Sequence, residues 1–118
     1  MKKDYSDTEY DVLVDERYPY YCDFYIKSMD LFIEYQGHPS HGKYPYIEDD
    51  EKSLNEANRL YGEWRDIYVN KDYEKYQKAI SSGINFIRVY PNSSLKENLD
   101  FNGNKFASII ELIYKSTK

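Results

Sequence analysis

Two runs rich in aromatic and β-branched residues, Tyr20–Ile26 and Asp30–Gly37, are separated only by Lys27, Ser28 and Met29. So short a link cannot carry a crossover, so as strands the two runs form an antiparallel hairpin. Upstream, Tyr10 to Arg17 alternates with Val12 and Val14 on one side, the pattern of a half-buried strand, and Pro19 punctuates it. A turn centred on Ser28 and Met29 sets Asp23 opposite Glu34, with both side chains on one face about 5 Å apart. Gln36 shares that face, while Leu31, Ile33 and Tyr35 turn to the other. Paired carboxylates repel unless something positive lies between them. A slip of one residue would turn Asp23 away. Two meanings stay open: the acids are solvent-facing strand residues, or they belong to polar groups converging on a site at a strand end.

Downstream the chain alternates between helix and strand signals. Gly37 to Asp50 is a loop holding both histidines, His38 and His41. Ser53 and Glu56 fit a capping box, and Leu54, Ala57, Tyr61 and Trp64 recur at helical spacing, which predicts a helix over Ser53 to Trp64. Arg65 to Val69 is ambiguous and reads as a short strand. Asp72 is placed to cap a helix through Ser81 with Tyr73, Tyr76 and Ile80 as its apolar stripe and Lys71, Lys75 and Lys78 near the opposite face, closed by Gly83. Ile84 to Tyr90 is a nearly continuous apolar strand, the mark of coverage on both faces. Phe106, Ile109, Ile110 and Ile113 predict a last helix over Asn104 to Lys115. The expected fold is α/β, with a central mixed sheet made of an antiparallel meander and one crossover strand, flanked by helices.

Composition narrows the function classes. The chain has 118 residues, which suits one domain, and 16 Lys+Arg against 21 Asp+Glu, a net charge of −5. That counts against a sequence-blind basic coat for nucleic acid, but not against an enzyme that meets nucleic acid through a few lysines and a metal ion held by its own carboxylates. A lone cysteine, Cys22, forbids an internal disulfide, fits a reducing compartment, and by strand alternation should enter the core opposite Asp23. The basic start has no apolar stretch behind it, so a soluble, cytoplasmic protein without membrane contact is expected. Asn92-Ser93-Ser94 matches a glycosylation acceptor by pattern alone. His38 and His41 lack the partners of a structural zinc site.

The segment CDFYIKSMDLFIEYQGHPSHGKYPY, Cys22 to Tyr46, joins a strand aspartate, a hairpin, an acidic strand ending in glycine and a histidine loop. KDYEKYQKAISSGINFIRVY, Lys71 to Tyr90, begins a helix with an aspartate, carries a lysine three residues on, and leads through a glycine into an apolar strand. In these two segments the chain resembles the PD-(D/E)XK nuclease superfamily, within it the small phage and intron-borne homing endonucleases related to very short patch repair enzymes. The resemblance implies a single nuclease-like domain over residues 1–118 with a restriction-endonuclease-like core, lacking the helix that usually precedes the first strand. It implies a metal-dependent endonuclease acting on DNA in a bacterial host. Asp23 and Glu34 would hold Mg²⁺, with Mn²⁺ able to substitute, and the Tyr35 carbonyl would be a third ligand. Gln36 stands where the superfamily usually has lysine and would orient water, Lys75 would supply positive charge, and His41 would act as general acid or base. Lys43, Lys71, Lys75 and Lys78 would contact nucleic acid.

Simpler readings stand beside these. The lysine face of the second segment can be a solvated helix face, His41 a loop anchor, and Trp64 part of the helix core. Most of the 15 tyrosines reflect coding bias, while Tyr35, Tyr44 and Tyr46 are placed to stack on bases. The absent first helix, Gln36 and the acidic charge fit an alternative: a non-catalytic nuclease-fold binding module, or a phage-encoded inhibitor with a host protein as partner. A chain active only as a homodimer is a third possibility.

Overall fold

A computed structural model describes residues 6–116; the basic start, residues 1–5, lies outside them. Three strands come first: β1 (Thr8–Val12), β2 (Cys22–Ile26) and β3 (Leu31–Tyr35). Three helices follow: α1 (Glu51–Arg59), α2 (Gly62–Asp66) and α3 (Tyr73–Ser82). Then come β4 (Asn85–Val89), α4 (Leu95–Phe101) and α5 (Ala107–Ser116). The four strands form one sheet in the order β1-β2-β3-β4, antiparallel except for the parallel pair β3–β4. The α/β class, meander and crossover strand agree with the sequence reading.

The hairpin register is the expected one: Phe24 pairs with Ile33, Tyr25 with Phe32 and Ile26 with Leu31. Its turn is a 3-10 segment, Lys27–Met29, closed by Asp30 in the left-handed region at φ 47°. Asp30 holds that turn through its carboxylate, which accepts from Arg17 at 2.7 and 2.9 Å and from the Tyr25 hydroxyl at 2.6 Å.

The pleat sorts side chains into two layers. Ile26, Leu31, Ile33, Ile87 and Val89 pack under Ile109, Ile110 and Ile113 of α5. At roughly 1.5–3 kcal/mol for each fully buried aliphatic side chain, this cluster is the main source of stability. On the other face Phe32 and Cys22 meet Tyr18 and Ala79 of α3. Ala57 and Leu60 pack around Tyr68 in a third cluster.

Several boundaries differ from the sequence reading. The first strand lies two residues upstream and ends at Val12. Helix α1 is capped by Asp50, whose carboxylate accepts the Ser53 N–H, while the Ser53 hydroxyl is drawn to the Ile47 carbonyl at 2.6 Å. Arg65 to Val69 is no strand: α2 runs through a π-helical stretch, Ile67–Asp72, straight into α3. On α3 it is Ala79 that enters the core, while Ile80 is 60% exposed. Gly83 closes α3 in the left-handed region, as expected. The last helix starts at Ala107, because Asn104 and Phe106 both take positive φ. Helix α4, with a complete capping box between Ser94 and Glu97, went unforeseen.

The β4 edge is closed by side chains of α4 and the turn after it. The Tyr90 N–H donates to Asn98 Oδ1 at 2.6 Å, and Asn98 Nδ2 donates to the Tyr90 carbonyl at 2.8 Å. Asn102 repeats the pattern on Arg88, at 2.9 and 2.8 Å.

Candidate functional site

Phe32 and Glu34 share the face under α3, so Glu34, next to last in β3, sits in a crowded, water-poor position and is only 5% exposed. Its Oε2 accepts from the Tyr18 hydroxyl at 2.6 Å, and its Oε1 accepts from the Asp23 N–H at 3.2 Å. The neighbouring strand answers: the Tyr35 N–H donates to Asp23 Oδ2 at 2.7 Å. Each carboxylate is thus tied to the other's strand, and the two acids lie side by side as the hairpin register requires.

The field at this pair is uneven. Burial pushes the Glu34 carboxyl up to about 7; the Tyr18 hydrogen bond works against the shift, Asp23 adds to it, and Lys75 opposes it. Lys75 is half-buried on α3 with its ammonium 5.7 Å from the centre of the Tyr20 ring. It belongs to the inward side of the helix and not, as its spacing implied, to an outer lysine face. Burial and the Glu34 charge also drive the Tyr18 hydroxyl far up and the Cys22 thiol to about 12, which leaves that thiol inert. Cys22 is buried as foreseen, but in the cluster with Tyr18 and Phe32, on the Glu34 side and not opposite it.

His41 ends a 3-10 turn, Pro39–His41, that His38 caps by accepting the Ser40 N–H. Gly42 follows at φ 71°, and a Cβ there would come within 3.0 Å of the Tyr68 ring, so glycine lets the loop lie flat on that ring. His41 Nδ1 meets Asp72 Oδ2 at 2.7 Å, with side-chain exposures of 23% and 5%. Asp72 therefore does not cap α3. Its other oxygen, Oδ1, is buried without a hydrogen-bond partner among the described residues, so the imidazole is its main compensation. A carboxylate on Nδ1 fixes the ring's orientation and leaves Nε2 for water or substrate.

Gln36 is buried, with its N–H donated to the Val89 carbonyl at 2.8 Å. Tyr35 packs toward the α5 side. Lys43 and Lys71 are exposed and Lys78 is half-buried; among the described residues none of these three forms an ion pair. Trp64 is not helix core but exposed, edge-on to His38 with ring centres 5.7 Å apart. Tyr44 sits under the Lys52 ammonium at 4.4 Å, and Tyr46 packs edge-on against Tyr68 and Tyr73.

Two members of the site were not foreseen. Asp72 carried a signal, an aspartate three residues before Lys75 on the same helix, but it read as a cap. Tyr18, beside Pro19 in an irregular stretch, carried none.

Among the described residues no three His, Cys, Asp or Glu side chains converge on one metal position. Asp23, Glu34 and the Tyr35 carbonyl offer only hard oxygen donors. Such a set suits a cation that keeps several of its waters, as Mg²⁺ does, and a positive charge there would offset the penalty on Glu34. No helix of the described residues is long and apolar enough to cross a membrane. No family model, curated protein or solved structure matches the chain.

Proposed function

We propose that this chain is a metal-dependent endonuclease of restriction-endonuclease-like fold that cleaves DNA phosphodiester bonds, in the cytoplasm of a bacterial host. The observation that carries the reading is the reciprocal clamp in which Asp23 accepts the Tyr35 N–H and Glu34 accepts the Asp23 N–H, fixing two acids side by side at the end of β3. Asp23 and Glu34 would hold Mg²⁺ or Mn²⁺, which when bound supplies Lewis acidity toward a phosphoryl oxygen and lowers the pKa of water. Lys75 brings positive charge to the same face. Gln36 can orient water by hydrogen bonding. His41, held by Asp72, gives or takes a proton at Nε2.

The rival reading, a non-catalytic module that binds a host protein, draws on one observation. Glu34 is already satisfied by Tyr18 and the Asp23 N–H without any cation. The two are separated by incubating supercoiled and single-stranded DNA with the protein in Mg²⁺, Mn²⁺ or EDTA, beside Asp23→Asn/Glu34→Gln. Metal-dependent nicking that the double variant loses supports the nuclease. Absence of nicking in every condition, with no Mn²⁺ binding by calorimetry, overturns it.

A further inference from the structure

Away from the carboxylates, on the same face of the sheet, two clefts of about 330 and 380 Å³ open against α3, β4 and α4, the first walled also by the loop from Pro45 to Glu48. They share Tyr76, Arg88 and Phe101 as a common wall. Arg88 is only 6% exposed, yet its guanidinium has no carboxylate within 4.0 Å among the described residues. Its charge rests instead on the Tyr76 ring, 3.8 Å from the guanidinium carbon, and near the buried Tyr90 hydroxyl, whose upward shift it resists. Arg88 is in register with Glu34 across the parallel pair β3–β4, but the two side chains part: Glu34 goes to Tyr18 and Arg88 to Tyr76.

A buried cation with no carboxylate in direct contact, lining two open clefts, is incompletely compensated, and an incoming anion on the guanidinium reduces that cost. The walls specify more than an anion. Tyr46 and Tyr73 line the first cleft beside Arg88, and Phe86 lines the second. Flat aromatic surfaces of this kind take a planar ring, and clefts of this size fall within the range on the order of 300–1,000 Å³ that holds small ligands. Glu48 lines the first cleft, and Asp100 lines the second together with Lys105, so each cleft also holds a carboxylate that can accept from an amino group on a heterocycle. One charged group joined to one flat, hydrogen-bonding ring is the chemistry of a nucleoside monophosphate.

We infer that the Arg88–Tyr76 cleft is a nucleotide subsite, with the phosphate on the Arg88 guanidinium and the base against the aromatic wall. Glu34 is in register on the neighbouring strand, about 5 Å away across the sheet, so the subsite lies on the same face as the proposed cleavage site. The inference rests on the nuclease reading only for the origin of the nucleotide, from a strand or free in solution.

Binding is measured in EDTA on the Asp23→Asn/Glu34→Gln protein, so that no cleavage enters and the two proposals fail separately. Calorimetry compares dCMP and dAMP with their nucleosides, with inorganic phosphate, and with a 5′-phosphorylated tetranucleotide. The expected result is saturable binding of a mononucleotide at least tenfold tighter than of its nucleoside or of phosphate. In NMR spectra of the same protein the Arg88 Nε–H and the ring signals of Tyr73 and Tyr76 should shift on titration. Arg88→Met should weaken binding at least tenfold, and Phe101→Leu should weaken it with Arg88 in place. Tighter binding of the tetranucleotide identifies a strand as the source; equal or weaker binding identifies the free nucleotide. No binding, equal affinity for inorganic phosphate, or shifts that bypass Arg88 and Tyr76 would overturn the subsite.

Discussion

Replacing Glu34 by glutamine isolates the cost of keeping a carboxylate under α3. In the fold its carboxyl titrates near 7, against 4.5 for an ordinary glutamate. The folded protein therefore holds this proton more tightly than the unfolded chain does, and stability falls as pH rises from 4.5 to about 7. The difference corresponds to about 3 kcal/mol as an upper value, absent below the window and fully present above it. Glutamine keeps the shape and can still serve the Tyr18 hydroxyl and the Asp23 N–H without ionising. Urea unfolding followed by circular dichroism, in EDTA, should show Glu34→Gln more stable than wild type by about 1–3 kcal/mol at about pH 8 and nearly equal at about pH 4.5. In a thermal melt each kcal/mol moves Tm by roughly 3–6 °C for a domain of this size. Mn²⁺ should narrow the gap by stabilising wild type alone. The same wild-type–variant difference at both pH values would refute the burial argument.

Four further outcomes follow from particular contacts. The hairpin pattern alone implies that removing Asp23 relieves repulsion, yet Asp23→Ala orphans the Tyr35 N–H and should cost about 1–2 kcal/mol in urea melts, whereas Asp23→Asn keeps the acceptor and should not. His41→Ala should lower cleavage roughly 10²–10⁴-fold, and Asp72→Asn should lower it less, with circular dichroism unchanged in both. Asn98→Ala leaves the Tyr90 N–H and carbonyl without their side-chain partner and should cost about 3 kcal/mol by urea unfolding. Arg17→Met releases the Asp30 carboxyl from about 2 toward its usual value; because the pair is half exposed and screened by solvent, the loss in urea melts should be small at neutral pH and vanish in acid.

The sheet was legible because period-two patterns and a three-residue link leave little freedom, and the same register put Asp23 beside Glu34. Helix ends were less so. Ser53 and Asp72 are both good capping residues by type, but tertiary partners, the Ile47 carbonyl and the His41 ring, outcompeted the helix ends for their side chains. Local sequence cannot report such rivals. Helix α4 is one short segment whose burial depends on β4, and its asparagines read as loop residues because their purpose lies across space. The site divides the same way: Asp23 and Glu34 follow from the hairpin register, while helical spacing put Lys75 on the wrong side of α3 and Tyr18 enters from an irregular stretch that no periodicity governs.

The asparagine pair along β4 also bears on how this protein behaves in company. An outer strand usually offers its outward N–H and carbonyl groups to any extended chain that passes, the route by which sheets fuse into fibrils. Asn98 and Asn102, four positions apart, occupy those groups at Tyr90 and Arg88 as a further strand would. Recruitment of another polypeptide along this stretch would first have to displace four amide contacts, so a crowded solution meets a border already occupied from Arg88 to Tyr90.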